Sequence, residues 1–296
     1  MTYGPNPIAN AFAAIARDTE LTDADRAAFS THRTRIESSL NAAFDISKLE
    51  VIGSFARDST RRGSSDLDLF AVVRKAEIEW GAGIVEPLTL MNRVRDALKR
   101  TFPKTEIGRD GQAVVVAFSD GKSIDVVPAW WVRAMDNGWP LYRIPADQSN
   151  WIDTSPGFHN KYINDGDARS GGQLKKVIRI LKYWRSCRSP ALPLSGFHLE
   201  LLLTQEGICN GARTYAQCVA DALDLLARRD CRALQDPCGL SGYVSAAGTA
   251  AKRSVLDAAV KTSARRAKDA VDYEATGRFS NAIERWQLVF NEGFST

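Results

Sequence analysis

Gly53-Ser54-Phe55-Ala56-Arg57 and, after a polar basic stretch ending at Ser65, Asp66-Leu67-Asp68-Leu69-Phe70 carry the strongest structural signal in the chain. Side chains alternate along a strand, so Asp66 and Asp68 project to one face while Leu67 and Leu69 project to the other. The two carboxylates are thereby held close together. Their repulsion raises one pKa, and a divalent cation is the simplest way to stabilise both as anions. Hard oxygen ligands of this kind suit magnesium, which keeps its remaining positions for water and substrate phosphates. Residues 48–52 read as a short strand, and Gly53-Ser54 directly after it supplies a turn with no Cβ at the first position and a hydroxyl plus backbone N–H groups at the second. Such a turn can approach phosphate oxygens. Neither signal is specific by itself, because a solvent-facing strand edge also explains Asp-x-Asp; in this order on neighbouring strands they are informative together.

Downstream, residues 113–118 and 123–127 are two apolar runs around Ser119-Asp120-Gly121-Lys122, a hairpin signal. The second run, Ser123-Ile124-Asp125-Val126-Val127-Pro128, contains a third acid. A carboxylate inside an apolar strand is destabilising unless it is paired or metal-bound, or accepts hydrogen bonds from the hairpin or an arginine. Ala-rich helices are expected at 6–17 and 23–44, with Leu21-Thr22-Asp23 providing the cap of the second, and another at 86–101 on the spacing of Leu88, Met91, Val94 and Leu98. Residues 130–153, rich in Trp, Pro and Asn without sustained periodicity, are expected to connect two lobes, with a boundary near residue 150. Beyond it, Leu174, Val177, Ile178, Leu181 and Trp184 form one stripe of a strongly amphipathic helix at 172–185. Further helices are expected at 195–206, 216–228, 245–276 and 281–291. The fold class is therefore α/β in the α+β sense: two helices, a small mixed sheet, then helices, divided into residues 1–150 and 151–296.

Composition bounds the function classes. With 296 residues, 44% hydrophobic and 25% charged, the chain is neither disordered nor collagen-like, and it fits one large or two smaller domains. Its longest apolar runs fall far short of the roughly 20 residues that a membrane-spanning helix requires. The start, Met-Thr-Tyr-Gly-Pro-Asn-Pro, lacks the basic flank and apolar core of a secretory signal, so a cytoplasmic location is expected. Cys187, Cys209, Cys218, Cys231 and Cys238 are odd in number and contain no CxxC pair, which suits a reduced compartment and disfavours a zinc site. The net charge of +4 is too mild for a protein that coats nucleic acid. Its distribution is uneven: residues 151–296 carry 20 Lys/Arg against 15 Asp/Glu, so the C-terminal half holds the positive excess. That asymmetry fits either an anionic ligand held between an acidic and a basic half or a solvated helix face.

The order Gly-Ser, Asp-x-Asp, then a lone Asp in a strand resembles the DNA polymerase β-like nucleotidyltransferases, which place two magnesium ions between three carboxylates. The likeness narrows further along the chain. Residues 123–129 (SIDVVPA), 174–184 (LKKVIRILKYW) and 195–202 (SGFHLELL), together with Asp236-Pro237, Ala282-Ile283-Glu284-Arg285-Trp286 and Phe290, resemble the bacterial cGAS/DncV-like nucleotidyltransferases, the CD-NTases. Oligoadenylate synthetases share several of these features. The resemblance spans roughly residues 20–294.

It implies a two-lobed protein, a polymerase β-like core with a mixed sheet followed by an oligoadenylate-synthetase-like helical lobe, with nucleotides bound in a cleft. In that frame Gly53 and Ser54 grip the triphosphate of the donor nucleotide, Asp66 and Asp68 hold both magnesium ions, and Asp125 binds one metal and orients or deprotonates the attacking hydroxyl. Lys182 matches the family lysine that contacts donor phosphates. Lys175, seven residues earlier on the same helix face, is either a second phosphate contact or an ordinary exposed lysine. Ser195 and Phe197 occupy the segment where relatives place a hydroxyl residue and an aromatic ring near the donor base. Gly196 departs from the pattern at the position of the hydroxyl, and Phe197 offers stacking without a hydrogen bond.

The implied activity is a cyclic di- or trinucleotide synthase that uses NTPs, ATP foremost, with two Mg²⁺ (or Mn²⁺) and releases pyrophosphate. The implied setting is bacterial antiphage (CBASS) signalling, in which the product activates a separate effector protein. A protein regulator or constitutive activity is expected ahead of nucleic-acid activation, for which the chain lacks long basic arms or a zinc insertion. The alternatives are a linear oligonucleotide synthase, a transferase that adds NMP to RNA or protein, and a catalytically silent sensor with the same fold. Other polar residues read more simply. His159 and His198 have no neighbouring Ser or Cys nucleophile. Trp130, Trp131, Trp139 and Trp151 are expected to pack the lobes, and Arg57, Arg61 and Arg62 are either phosphate contacts or a solvated loop.

Overall fold

The computed structural model describes residues 6–64 and 66–296. The first five residues, which enter the reading of the chain start, and Ser65, the end of the polar stretch, lie outside the described residues. The chain divides into two compact units, one of Leu21–Asp58 and Gly63–Lys161, the other of Met1–Glu20, Ser59–Arg62 and Tyr162–Thr296. This differs from a single cut near residue 150. Helix α1 (Pro7–Asp18), capped by the Asn6 side chain, presents Ile8, Phe12 and Ile15 as one buried stripe. That stripe packs into the core of the C-terminal helices rather than onto the sheet.

The sheet unit begins with α2 (Asp23–Ala43), whose Thr22 and Asp25 form a reciprocal capping box. Strand β1 (Ile46–Ile52), the single turn α3 (Gly53–Ala56) and β2 (Asp66–Val73) follow. A small hairpin, β3 (Glu79–Trp80) with β4 (Gly83–Ile84), leads to α4 (Pro87–Thr101). Then come β5 (Glu106–Asp110), β6 (Ala113–Ala117), β7 (Ser123–Ala134), β8 (Pro140–Pro145) and β9 (Trp151–Thr154). Among the described residues the main sheet runs β1-β2-β7-β6-β5, with β8 beside β7 and β9 beside β8. Its β2–β7 pair is parallel and its other pairs are antiparallel, so the sheet is mixed as expected.

Alternation along β2 and β7 sends Leu67, Leu69, Ile124 and Val126 to a face covered by Phe29, Ile36, Leu40, Leu90, Val94 and Leu98 of the two helices. The opposite face carries Phe70, Val72, Val127, Ala129, Tyr142 and Ile144. The central strands are therefore buried on both sides over most of their length, and only at their N-terminal ends do polar side chains emerge on the second face.

Residues 130–153 are not an irregular connector. β7 continues to Ala134, Asn137 and Gly138 turn the chain with Asn137 Oδ1 accepting from the Trp139 N–H, and β8 and β9 extend the sheet. Aromatic residues favour strands, while Pro140 and Pro145 stand at strand ends where a missing N–H is tolerated. The indole of Trp130 is buried and meets Trp151 edge-on, and Trp139 stacks on Phe158; Trp131, by contrast, is exposed. Ring packing thus accounts for three of the four tryptophans, Trp130 and Trp151 on strands and Trp139 against Phe158.

After α5 (Pro156–Arg169), within which the two units divide, the helical unit contains α6 (Leu174–Ser186), α7 (Gly196–Glu206) and α8 (Tyr215–Arg228). A two-residue ladder of β10 (Leu234–Gln235) with β11 (Tyr243–Val244) precedes α9 (Ala250–Ala275) and α10 (Phe279–Phe290). The stripe of α6 is buried as its spacing predicts. Phe12 of α1 meets Trp286 edge-on at 4.8 Å and also packs on Phe290 and Phe294, which explains why the first helix joins the last. Among the described residues no helix is long and apolar enough to cross a membrane, and the five cysteines form no disulfide.

Candidate active site

The parallel register of β2 on β7 sets Asp66 opposite Ser123 and Asp68 opposite Asp125. Residues opposite one another on neighbouring strands share a face and lie about 4.8 Å apart along the sheet. The three acids therefore share one face at the N-terminal ends of the central pair, where Asp66 is exposed and Asp68 and Asp125 are half-buried. Ser123 donates its hydroxyl to Asp66 Oδ1 at 2.7 Å. This positioning contact was not anticipated from the sequence, because only the pairing register brings Ser123 to Asp66.

Asp125 bears the electrostatic consequence. Burial and then the negative charges of Asp68, Asp66 and Asp110 push its carboxyl up to about 7. Three acids on one strand face, one of them holding a proton at so high a pH, have the donor chemistry of a hard divalent cation site, with oxygen ligands only. The residues present fit magnesium.

Gly53 explains the other half of the pattern. It follows β1 directly and has φ +67°, in the left-handed region. A Cβ added there would lie 1.9 Å from Asp68 Oδ2, so backbone and carboxylate are in direct apposition and no side chain fits between them. Ser54 lies in the same turn. The Gly-Ser pair and the acidic face are one structure, built within a single unit from β1, α3, β2 and β7.

The four candidates on the helical unit have local partners. Lys182 is buried, and its Nζ donates to Glu200 Oε1 at 2.6 Å and to the Ser59 carbonyl at 3.0 Å. Ser59, fully buried, donates its hydroxyl to the same Glu200 oxygen at 2.7 Å. Gly196 passes so close that a Cβ would be 3.1 Å from Lys182 Cε, which gives the glycine in place of the family hydroxyl a packing reason. Lys175 Nζ lies 3.8 Å from Asp167, whose other oxygen accepts from the Lys175 backbone N–H. Ser195 is the N-cap of α7, its Oγ accepting from the His198 N–H, and Phe197 is partly buried against the helical core.

Removing one partner of a buried ion pair strands the other charge. Lys182→Ala is therefore expected to lower unfolding free energy by about 3–5 kcal/mol, whereas Lys182→Met combined with Glu200→Gln should recover much of the loss. Denaturant unfolding of the three proteins checks this.

Arg57 is not on a solvated loop: it is buried and donates to Asn160 Oδ1 at 2.9 Å. Ser59 and Thr60 are buried beyond it. His198 is buried with Nδ1 3.0 Å from the Val244 carbonyl, and burial lowers its pKa, which suits a neutral core imidazole.

The model of the Second Messenger Oligonucleotide or Dinucleotide Synthetase domain (SMODS) matches residues 7–166, more than half of the chain. A curated Bacillus cereus (strain VD146) protein, named a probable cyclic nucleotide synthase, is 24% identical over 219 residues, covering 72% of this chain. The chain spans 64% of that relative's length. Among solved structures, Escherichia coli MS115-1 CdnC with ATP aligns with a TM-score of 0.74 at 18% identity, covering 99% of this chain and 100% of that one. CdnC in complex with HORMA-deltaN gives the same TM-score and identity over 98% of this chain and 99% of that one. The Bradyrhizobium diazoefficiens CD-NTase CdnG in complex with GTP gives 0.70 at 15% identity over 96% of this chain and 98% of that one. Mixed sheet, helical C-terminal region and structural likeness agree on the CD-NTase fold, and on the family match the chain belongs to the SMODS family of second messenger oligonucleotide or dinucleotide synthetase domains.

Proposed function

We propose that this chain is a magnesium-dependent nucleotidyltransferase that joins NTPs into a cyclic di- or trinucleotide and releases pyrophosphate, acting in bacterial antiphage (CBASS) signalling through a separate effector protein. The observation that carries the reading is the convergence of Asp66, Asp68 and Asp125 on adjacent register positions, with the Gly53 backbone laid against Asp68. The family match and the named synthase activity of the Bacillus cereus relative support it.

In this reading Gly53 and Ser54 bind the donor triphosphate through backbone N–H groups and the hydroxyl, and Asp66 and Asp68 hold two Mg²⁺, or Mn²⁺ in its place. A cation held there would supply charge neutralisation of the triphosphate and a lower pKa for the attacking ribose hydroxyl. Asp125 orients that hydroxyl and takes its proton; the oxygen bonds to the α-phosphorus as the bond to pyrophosphate breaks. A second transfer of the same kind closes the linear intermediate into a ring. Lys175, Lys182, Ser195 and Phe197 are the helical unit's proposed nucleotide contacts, and for Lys182 this requires exchange from Glu200 and Ser59. ATP is the foremost substrate, in line with the ATP-bound CdnC structure, and a protein regulator is proposed in line with the CdnC:HORMA-deltaN complex.

Incubation with all four NTPs and magnesium, followed by phosphatase treatment and mass spectrometry, tests the reading. The expected product is phosphatase-resistant and lacks a terminal phosphate. A phosphatase-sensitive oligomer would establish the linear synthase instead. The Asp66→Asn/Asp68→Asn double variant is expected to fold and to release no pyrophosphate; a wild type equally silent under every condition would establish the sensor.

A further inference from the structure

Ser59–Arg62 is part of the helical unit, although Asp58 and Gly63 on either side of it are not. Most of this short segment is anchored. Ser59 is held by Glu200, Thr60 is buried, and the Arg62 N–H donates to the Thr19 carbonyl at 2.7 Å. Arg61 is different: it is half-buried, and among the described residues its guanidinium makes no hydrogen bond and no ion pair. Burial accordingly pulls its pKa down, with only the weak influence of Cys187 and Tyr183 opposing. A partly desolvated cation is stabilised when an anion meets it.

Arg61 lines a cavity of about 240 Å³. Arg62 and Tyr183 stand beside it, and Ala11, Ala14 and Ile15 of α1 supply an apolar wall. Asp18 also reaches the rim, but its carboxylate is engaged by Arg17 at 3.1 Å and is largely exposed. Tyr183 is fixed by donating its hydroxyl to the Gly293 carbonyl at 2.9 Å. The cavity thus has a cationic side and an apolar side, and the space exceeds what a bare inorganic anion fills.

We propose that this cavity binds a small organic phosphate monoester, its phosphate on the Arg61 guanidinium and its organic body against α1. A planar guanidinium matches two phosphate oxygens at once, which suits a phosphate on Arg61. Its lining shares no residue with the acidic face. It is nevertheless held by the piece of chain that joins Gly53-Ser54 to Asp66, so its occupant bears on the segment between the two catalytic motifs.

Phenyl phosphate is the probe, titrated by calorimetry into the full chain in EDTA, with inorganic phosphate and benzoate as parallel arms. One saturable site is expected, bound about tenfold more weakly by inorganic phosphate (about 1.4 kcal/mol) and more weakly still by benzoate. The Asp66→Asn/Asp68→Asn variant should bind unchanged, which separates this site from the acidic face. Arg61→Gln should weaken binding at least about tenfold, Arg61→Lys should restore part of it, and Ala14→Phe, which fills the apolar side and leaves every charge in place, should weaken it as strongly. Absence of saturable binding to the wild type, or binding that both Arg61→Gln and Ala14→Phe leave unchanged, overturns the proposal.

Discussion

Gly53→Ala is expected to reduce pyrophosphate release at least about 100-fold while the chain still folds. The reason is steric and local. The new methyl would sit 1.9 Å from Asp68 Oδ2, far inside any contact distance, and the backbone at φ +67° already disfavours an L side chain by about 1–2 kcal/mol. Either the turn or the carboxylate must move by an ångström or more, and both belong to the proposed phosphate and metal contacts. Because Asp68 is half-buried at a strand end rather than in the core, the displacement is absorbed without unfolding. A thermal melt within a few degrees of wild type, paired with the activity loss, is the expected result. A variant of near-normal activity would show that the apposition of Gly53 and Asp68 is dispensable.

The second large effect concerns Asp125. Its carboxyl, raised from 3.8 to about 7, binds a proton more tightly in the folded chain than in the unfolded one. Metal-free protein is therefore most favoured, so far as this group is concerned, below pH 4. That contribution is lost as pH rises through about 7, in total on the order of 2 kcal/mol once the solvent that reaches the site is allowed for. Asp125→Asn abolishes the charge and should make the metal-free chain more stable than wild type at pH 8, while lowering pyrophosphate release about a thousandfold by removing the proposed proton acceptor. Denaturant unfolding in EDTA at pH 5 and pH 8 checks the stability arm. Adding magnesium near pH 6.5 to the wild type should release protons, and Asp125→Asn should not. Equal stability of the two proteins at pH 8 would mean that the three acids do not repel as placed.

Local sequence pattern marks some residues of the site and not others. Asp66 and Asp68 were legible because strand alternation is local, and Asp125 was legible because a carboxylate in an apolar run demands an explanation. The stripe of α6 was legible for the same reason: a 3.6-residue period needs no distant partner. Ser123 was not. Its hydroxyl reaches Asp66 across 57 positions of chain through a parallel pairing that no periodicity reports. Residues 130–153 were misread as a connector because strand propensity there resides in scattered tryptophans and in pairing with β7, not in clean alternation. The pairing of Lys182 was not legible, because Glu200, eighteen positions on, and Ser59, far upstream, are brought to it only by packing.

By itself the sequence determined the chemical inventory: three acids on strands, a glycine turn ahead of them, and helices with one apolar face each. Tertiary structure decided which strands neighbour one another, that the first helix joins the last, that Gly53 lies against Asp68, and that Lys182 is paired while, among the described residues, Arg61 is not. The division follows from range. Periodicity and turn chemistry act over a few residues, whereas register, burial and charge pairing depend on groups that the chain separates widely and only the folded core brings together.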